Sequence, residues 1–277
     1  MIEEFKSEGL TFQSKDRKLG EKLSEEDRNV LRNQIIIRKY LFDDFPEFLG
    51  LFNNNINKQN HCIDNAMILL GINEIDFNNF IDVKLQINKL NEFTWTRSKN
   101  PSEINSGVST VGEISEKLVE AAFGNLVDNE NFFSSKGNDK VKSYGDFVLL
   151  CLPNNLWMSV KSGFSRERLL ASGYSNDILG IGFFEDFEEF TSDAKNRNLK
   201  KVGFLAIYCP DFPVNEEQIL EGSSTFAKIK DFYTREGKDM PQNINGNPFL
   251  RKLSSLNTDV KKLLNEKNIK NRSTIGF

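Results

Sequence analysis

Residues 144–161 of the chain read YGDFVLLCLPNNLWMSVK. Its two apolar runs, Tyr144–Cys151 and Leu156–Lys161, stand on either side of a Pro-Asn-Asn turn. Two short apolar runs joined by such a turn are typical of a β-hairpin. The sequence therefore predicts a pair of antiparallel strands at this point of the chain.

The segments around the hairpin predict helices packed on a sheet. Before it, Ser109 and Thr110 are candidate caps of a helix over Val111–Val127, whose apolar residues recur at helical spacing. After it, a helix over about Phe183–Arg197 precedes the apolar run Lys201–Tyr208, an expected third strand. Because a helical crossover links parallel strands, this strand is expected to join in parallel. The predicted fold class is α/β or α+β, with a mixed central β-sheet flanked by helices.

The hairpin brings an acid and a lysine together. A turn centred near Asn154 sets the register, and it places Asp146 opposite Lys161 or Ser162, give or take one residue. Hydrolysis of a phosphodiester needs a hard cation held by carboxylates, an activated water and a positive group beside the developing negative charge. Asp146 would ligate Mg²⁺, and Lys161 would orient the attacking water or offset the developing charge. Glu116, on the preceding helix, is a candidate for a second metal contact.

The order of these elements resembles the PD-(D/E)xK nuclease superfamily over residues 109–209. Tyr144-Gly145-Asp146 stands in the Pro-Asp position of that motif, and Ser159-Val160-Lys161 stands in its Asp/Glu-x-Lys position. The resemblance implies a restriction-endonuclease-like core with Mg²⁺ as cofactor. Within the superfamily, the sequence looks like a type II restriction endonuclease.

Ser159 departs from the motif, because a hydroxyl is a weaker Mg²⁺ ligand than a carboxylate. Some restriction enzymes of this superfamily carry a small residue there and supply an acid from the segment after the lysine. The resemblance makes Glu167 and Asp177 candidates for such a migrated acid. Glu116 or Glu113 could serve from the preceding helix, and the sequence leaves this choice open.

The polar and basic segment after Lys161 looks like restriction-enzyme sequence that approaches the scissile strand. We expect DNA contacts from four residues in it, Ser162, Ser165, Arg166 and Arg168. An arginine can hold a phosphate or read guanine in the major groove, and a serine can hold a phosphate. Both roles stay open.

A length of 277 residues allows a core with an extension. We expect a helical N-terminal extension over residues 1–105, for DNA contact or dimerisation, and a catalytic core over residues 106–277. The net charge of -4 argues mildly against a protein wrapped in nucleic acid. Residues 251–277, however, hold seven basic against two acidic residues, a local charge of +5. They either face a polyanion or form an amphipathic helix with five apolar residues inward, namely Leu253, Leu256, Val260, Leu263 and Leu264.

Cys62, Cys151 and Cys209 lie far apart in the sequence, so we expect free thiols rather than disulfides or a zinc site. His61, the only histidine, lacks the ligand spacing of a zinc site. The sequence contains neither a long apolar run nor a signal-peptide pattern, so we expect a cytoplasmic protein.

These observations predict a type II restriction endonuclease that hydrolyses double-stranded DNA at a short specific sequence with Mg²⁺. A homodimer is expected, because a two-fold axis matches a palindromic site. The resemblance also implies a cognate DNA methyltransferase in the same system. Two alternatives stay open: a DNA repair or recombination nuclease of the same fold, and a DNA-binding or interaction protein with a degenerate nuclease site.

Overall fold

The computed structural model describes residues 63–64, 66–67, 70–95, 101–124, 127, 131–135, 145–152, 154–163, 177–265 and 272–277. The chain divides into two compact units, residues 1–122 and 123–277. The sequence puts a boundary between residues 105 and 106. One continuous helix crosses that point, and the division falls close to the end of this helix.

The described part of the first unit is helical. Helix α1 spans Phe80–Trp95, and its start is fixed by Asp76, whose Oδ1 accepts from the Asn78 and Asn79 amides at 2.7 and 3.1 Å. Further upstream, the structure describes helical residues only within 63–70. The rest of the expected N-terminal extension, including His61 and Cys62, lies outside the described residues.

Helix α2 spans Pro101–Gly124, so it starts ten residues before the expected Val111. Proline suits the first turn of a helix, because its φ is already helical and its missing N–H would have no partner there. The expected apolar side is largely correct, since Ile114, Leu118 and Ala122 are buried.

The second unit is built on a six-stranded sheet in the order β1-β2-β3-β4-β5-β6. The first three strands pair antiparallel, and β3 to β6 pair in parallel, as expected for a mixed sheet with a parallel addition. The strands are β1 (Phe132–Ser134), β2 (Phe147–Leu149), β3 (Leu156–Lys161), β4 (Ile178–Gly182), β5 (Phe204–Cys209) and β6 (Leu250–Lys252).

Four α-helices are described in this unit after the sheet begins. They are α3 (Asp193–Lys201), α4 (Glu216–Glu221), α5 (Thr225–Arg235) and α6 (Leu256–Asn265), with 3₁₀ turns at Glu188–Phe190, Leu253–Ser255 and Arg272–Ile275. Side-chain caps start three of them, because the oxygens of Ser192, Asn215 and Ser224 accept from amides in the first turn. None of the helices in the described part of the chain is long and apolar enough to cross a membrane.

The sequence does not predict strand β4. The helix predicted over Phe183–Arg197 is wrong in its first half. Two backbone amides continue the pairing with the end of β3, from Phe183 to the Lys161 carbonyl and from Glu185 to the Gly163 carbonyl, each at 3.1 Å. The helix starts only at Asp193, where the Ser192 side chain caps it.

The two faces of the sheet bury different sets of residues. On the face that carries Trp157, Ser159 and Lys161, an apolar core packs β4, β5 and β6 against α3 and α5. Its fully buried members include Phe184, Phe204, Ile207 and Ile229. Trp157 packs against this core.

The opposite face packs on aromatic rings and on the C-terminal segment. Phe123 from the end of α2 stacks on Phe132 with ring centroids 5.1 Å apart, and Phe132 stacks on Phe147 at 5.4 Å.

Two free thiols are described, Cys151 half-buried and Cys209 fully buried, as expected for this part of the chain.

Candidate active site

The hairpin forms as predicted, but its register differs. Leu149 lies opposite Leu156, so the connection runs from Leu150 to Asn155 and is centred before Asn154. The sequence puts Asp146 opposite Lys161 or Ser162, and this is wrong. The Asp146 amide donates to the Met158 carbonyl at 2.7 Å, so the residue lies beside Met158–Val160.

The acid and the lysine nevertheless meet. Lys161 Nζ lies 3.3 Å from Asp146 Oδ2. A register shift of two residues keeps every side chain on the same face of the sheet, and a long side chain reaches a diagonal neighbour. The structure therefore brings together the two residues on which the sequence-based hypothesis depends.

Both side chains of this ion pair are held by the backbone of β3. Asp146 Oδ2 accepts from the Val160 amide at 2.7 Å, and Lys161 Nζ donates to the Val160 carbonyl at 2.9 Å. One peptide segment thus orients the carboxylate and the ammonium group. Such fixed geometry is what a catalytic constellation requires.

Gly145 permits the close approach of Asp146 to β3. A Cβ atom at this position would lie 2.8 Å from the Met158 carbonyl oxygen, a contact that real Cβ atoms essentially never show. Any other residue would push the chain away from β3. The glycine in the Pro-Asp position of the motif is therefore required by the local packing.

The Asp146 carboxylate has an oxygen that could bind a cation. Among the described residues, the only donors to its carboxylate, Val160 and Lys161, bond to Oδ2, and the side chain is 25% exposed. Oδ1 therefore faces no protein donor in the described part of the structure. A partly exposed carboxylate oxygen is a suitable ligand for a hard divalent cation.

No group of three His, Cys, Asp or Glu side chains that could hold a metal ion is found within the described ranges. Mg²⁺ is usually held by one or two carboxylates together with waters and substrate phosphates, rather than by an all-protein cage. Asp146 with one further acid would thus fit this ion. Ser159, in the second acidic position of the motif, is fully buried on the same face as Lys161.

Glu185, an acid that the sequence does not predict, lies beside Gly163, two residues after Lys161. It follows β4, its amide bonds the Gly163 carbonyl, and its Oε1 lies 3.7 Å from where a Cβ of Gly163 would be. Its backbone is also anchored, because its carbonyl accepts from buried Gln218 Nε2 at 3.2 Å and from buried Thr225 Oγ1 at 3.4 Å. Glu185 could be found only by predicting β4 and its parallel pairing with β3.

Asp177 lies at the opposite end of β4. It precedes Ile178, whereas Gly182 is the partner of Lys161, a separation of about 16 Å at 3.3 Å per residue. Its carboxylate lies 3.5 Å from the Arg272 guanidinium, and Asn154 Nδ2 donates to it at 3.3 Å. The structure therefore does not bring Asp177 to the ion pair as a migrated acid.

The remaining predicted site residues fall into three groups. Glu113 and Glu116 lie on α2 in the first unit, and their roles stay predictions. Ser162 follows β3 directly and is half-buried. The other candidates lie outside the described residues, namely Ser165, Arg166, Glu167 and Arg168.

The basic C-terminal stretch contains two internal arginines. Arg251 is buried and pairs with Asp259 at 2.8 Å, and Arg272 is buried beside Asp177 and the Cys151 sulfur. Burial raises the pKa of the Cys151 thiol, and the charge of Arg272 partly opposes that rise. Four of the five residues expected on the inward side of the helix are buried, namely Leu253, Leu256, Val260 and Leu263.

Three lysines in this stretch are exposed, and one of them, Lys262, lies 3.7 Å from Asp259 Oδ1. Lys252, Lys261 and Lys262 are exposed, whereas Lys267 and Lys270 lie outside the described residues. The buried side confirms the amphipathic helix, and contact of its lysines with a polyanion stays a prediction.

Comparisons with protein-family models, with curated protein sequences and with solved structures find no match to this chain.

Proposed function

We propose that this protein is a Mg²⁺-dependent endonuclease that hydrolyses double-stranded DNA at the Asp146–Lys161 pair. The observation that carries the proposal is the 3.3 Å contact between Lys161 Nζ and Asp146 Oδ2, with both groups fixed by the Val160 peptide. Cleavage at a short specific sequence by a type II restriction endonuclease is the form of this activity that the motif resemblance favours.

The reaction needs one new bond and one broken bond. A water oxygen attacks phosphorus, the ester P–O bond breaks, and its electron pair leaves on the ester oxygen, which takes a proton. When bound at Asp146, Mg²⁺ supplies Lewis-acid activation of the phosphate and lowers the pKa of a bound water. Lys161 orients the attacking water and places a positive charge beside the phosphate oxygens.

Asp146 has two tasks in this scheme. Its Oδ2 keeps Lys161 in place, and its Oδ1 is available to the cation. Glu185 is the described acid that we propose as the second carboxylate, because it leaves the adjacent parallel strand beside Gly163. Glu113, Glu116 and Glu167 remain the alternatives for this second carboxylate.

The experiment is incubation of the purified protein with phage DNA in Mg²⁺, with an EDTA control and the variants Asp146→Ala and Lys161→Ala. Discrete fragments that disappear in both variants and in EDTA are the expected result. A Glu185→Gln variant is expected to cleave more slowly, by about a hundredfold to a thousandfold, the range for losing one electrostatic group at a reacting centre. Cleavage that survives in Asp146→Ala would place the activity elsewhere.

A second candidate is DNA binding without cleavage. It is favoured by Ser159 in a position where the motif has a carboxylate, and by the lack of a three-acid group among the described residues. The same incubation separates the two candidates. A protein that shifts DNA in a gel but cleaves none of several phage DNAs in Mg²⁺ or Mn²⁺ would be a binding protein.

The oligomeric state and the biological setting are proposals of the same kind. A homodimer would cut both strands of a palindrome, since each copy supplies one catalytic site. A cognate DNA methyltransferase would then protect the host DNA. Sedimentation of the protein with and without DNA tests the first of these proposals.

A further inference from the structure

Ser135 holds the peptide that carries Asp146. The residue follows β1 directly and is buried, with 4% of its surface exposed. Its hydroxyl donates to the Gly145 carbonyl in a short hydrogen bond and lies 3.1 Å from the Asp146 carbonyl. A hydroxyl has one proton, so the two carbonyls share it.

The Ser135 backbone adds a second restraint. Its amide donates to the Asp146 carbonyl at 3.0 Å, so one residue bonds both carbonyls of the Gly145–Asp146 segment. From the other side, the Asp146 amide bonds the Met158 carbonyl at 2.7 Å. The backbone of Asp146 is thus held between the end of β1 and the middle of β3.

This double restraint sits where strand pairing ends. The regular pairing of β2 with β3 stops at Phe147, one residue after Asp146. Without other bonds, a residue at a strand end would have freedom to move. The bonds from Ser135 and to Met158 remove that freedom, and they fix the point from which the Asp146 carboxylate reaches the Val160 amide.

We propose that Ser135 is a positioning residue for Asp146, and that it acts by holding the Gly145–Asp146 peptide in place. The side chain does not touch the DNA or the metal. It keeps the carboxylate at the distance from Lys161 that the reaction needs. The importance of this role for catalysis rests on the proposed nuclease function, whereas the restraint itself does not.

The matched control is Ser115, a buried serine of α2 in the first unit. Its hydroxyl donates to the Val111 carbonyl at 2.9 Å, so Ser115→Ala also removes a buried hydroxyl bonded to a backbone oxygen. Ser135→Ala removes the bond at Asp146, and Ser135→Thr keeps a hydroxyl there. A difference between Ser135→Ala and Ser115→Ala therefore comes from the place of the lost hydrogen bond, and not from the loss of a buried hydroxyl as such.

The first readout is hydrogen exchange of the Val160 amide in the full chain, measured by NMR against the amides of β4. Ser135→Ala is expected to speed exchange at Val160 by about threefold to tenfold, the factor that one hydrogen bond contributes. Ser115→Ala is expected to leave the ratio between Val160 and β4 unchanged, and Ser135→Thr is expected to restore it. An unchanged Val160 ratio in folded Ser135→Ala would overturn the proposal.

The second readout is DNA cleavage in Mg²⁺. Ser135→Ala is expected to lower kcat with little change in KM, because the loss affects the geometry of Asp146 and not DNA binding. Faster exchange with unchanged kcat would overturn the catalytic part of the proposal. If the wild type cleaves no DNA, the nuclease proposal fails, and the exchange data still decide whether Ser135 restrains Asp146.

Discussion

Two ion pairs, Arg251–Asp259 on one face of the sheet and Lys161–Asp146 on the other, differ in how completely the protein buries and hydrogen-bonds them. In the Arg251–Asp259 pair, the side chains are 9% and 13% exposed, and Asp259 Oδ2 also accepts from the Tyr208 hydroxyl at 2.9 Å. In the Lys161–Asp146 pair, the corresponding values are 17% and 25%, and Asp146 Oδ1 receives no donor from the described residues.

This difference separates a structural pair from a candidate catalytic pair. Arg251 is further held by the Pro248 carbonyl at 3.0 Å and lies 4.6 Å from the centre of the Phe277 ring, so its bonding capacity is largely used. The pair at Asp146 keeps an acceptor oxygen and access to solvent. A site that binds a cation and a phosphate needs both.

The largest effect on stability is expected at the buried pair. Asp259→Ala leaves the Arg251 charge buried without its partner, so the free energy of unfolding is expected to fall by about 3–5 kcal/mol. Urea unfolding measures this loss. The folded fraction of Asp259→Ala is expected to cleave DNA as the wild type does. A loss of cleavage by this folded fraction would mean that the Arg251–Asp259 pair is not purely structural.

A smaller loss is expected at Gly145. Gly145→Ala puts a Cβ against the Met158 carbonyl, and the resulting overpacking is expected to cost about 1–3 kcal/mol and to displace Asp146. Gly112→Ala is the control, because its Cβ meets nothing within 4 Å and a helical alanine is expected to stabilise by about 0.5–1 kcal/mol. Equal unfolding curves and equal cleavage in the two variants would contradict this account of Gly145.

The buried pair also predicts a pH effect. Burial, and next the charge of Asp259, raise the pKa of the Tyr208 hydroxyl well above its ordinary value. Above about pH 10 the unfolded chain releases this proton and the folded chain keeps it, so stability falls as pH rises, by up to about 1.4 kcal/mol per pH unit. Tyr208→Phe is expected to flatten the slope of unfolding free energy between pH 9.5 and 11, and an unchanged slope would assign it to another group.

The smallest stability effect is expected at the candidate site. Asp146→Asn removes the charge from a partly exposed pair, so the free energy of unfolding is expected to change by less than about 1 kcal/mol. Thermal or urea unfolding of this variant checks it. A loss as large as that of Asp259→Ala would mean that Asp146 is mainly a structural residue.

Sequence reasoning found the elements whose patterns are local. The hairpin, the apolar strand around Phe204–Tyr208 and the inward side of α6 follow from runs and periods that a single segment contains. It also found Asp146 and Lys161, because a shift of two residues in register does not change the face on which they lie.

It missed features that depend on contacts between segments. Gly180 and Gly182 interrupt the apolar run of β4, and because glycine is rare in strands the sequence does not indicate a strand there. The folded structure requires a glycine at 182, since a Cβ at that position would overlap the Phe184 ring. Glu185 was missed with that strand. Ser135 lies in a short polar connection, and only the folded structure shows what its hydroxyl bonds.

The most direct test compares DNA cleavage by the wild type, Asp146→Asn and Asp259→Asn in Mg²⁺, at equal concentrations of folded protein. We expect discrete DNA fragments from the wild type and from Asp259→Asn, and none from Asp146→Asn. Cleavage by Asp146→Asn at the wild-type rate, or no cleavage by the wild type, would contradict the claim that the Asp146–Lys161 pair is a nuclease site.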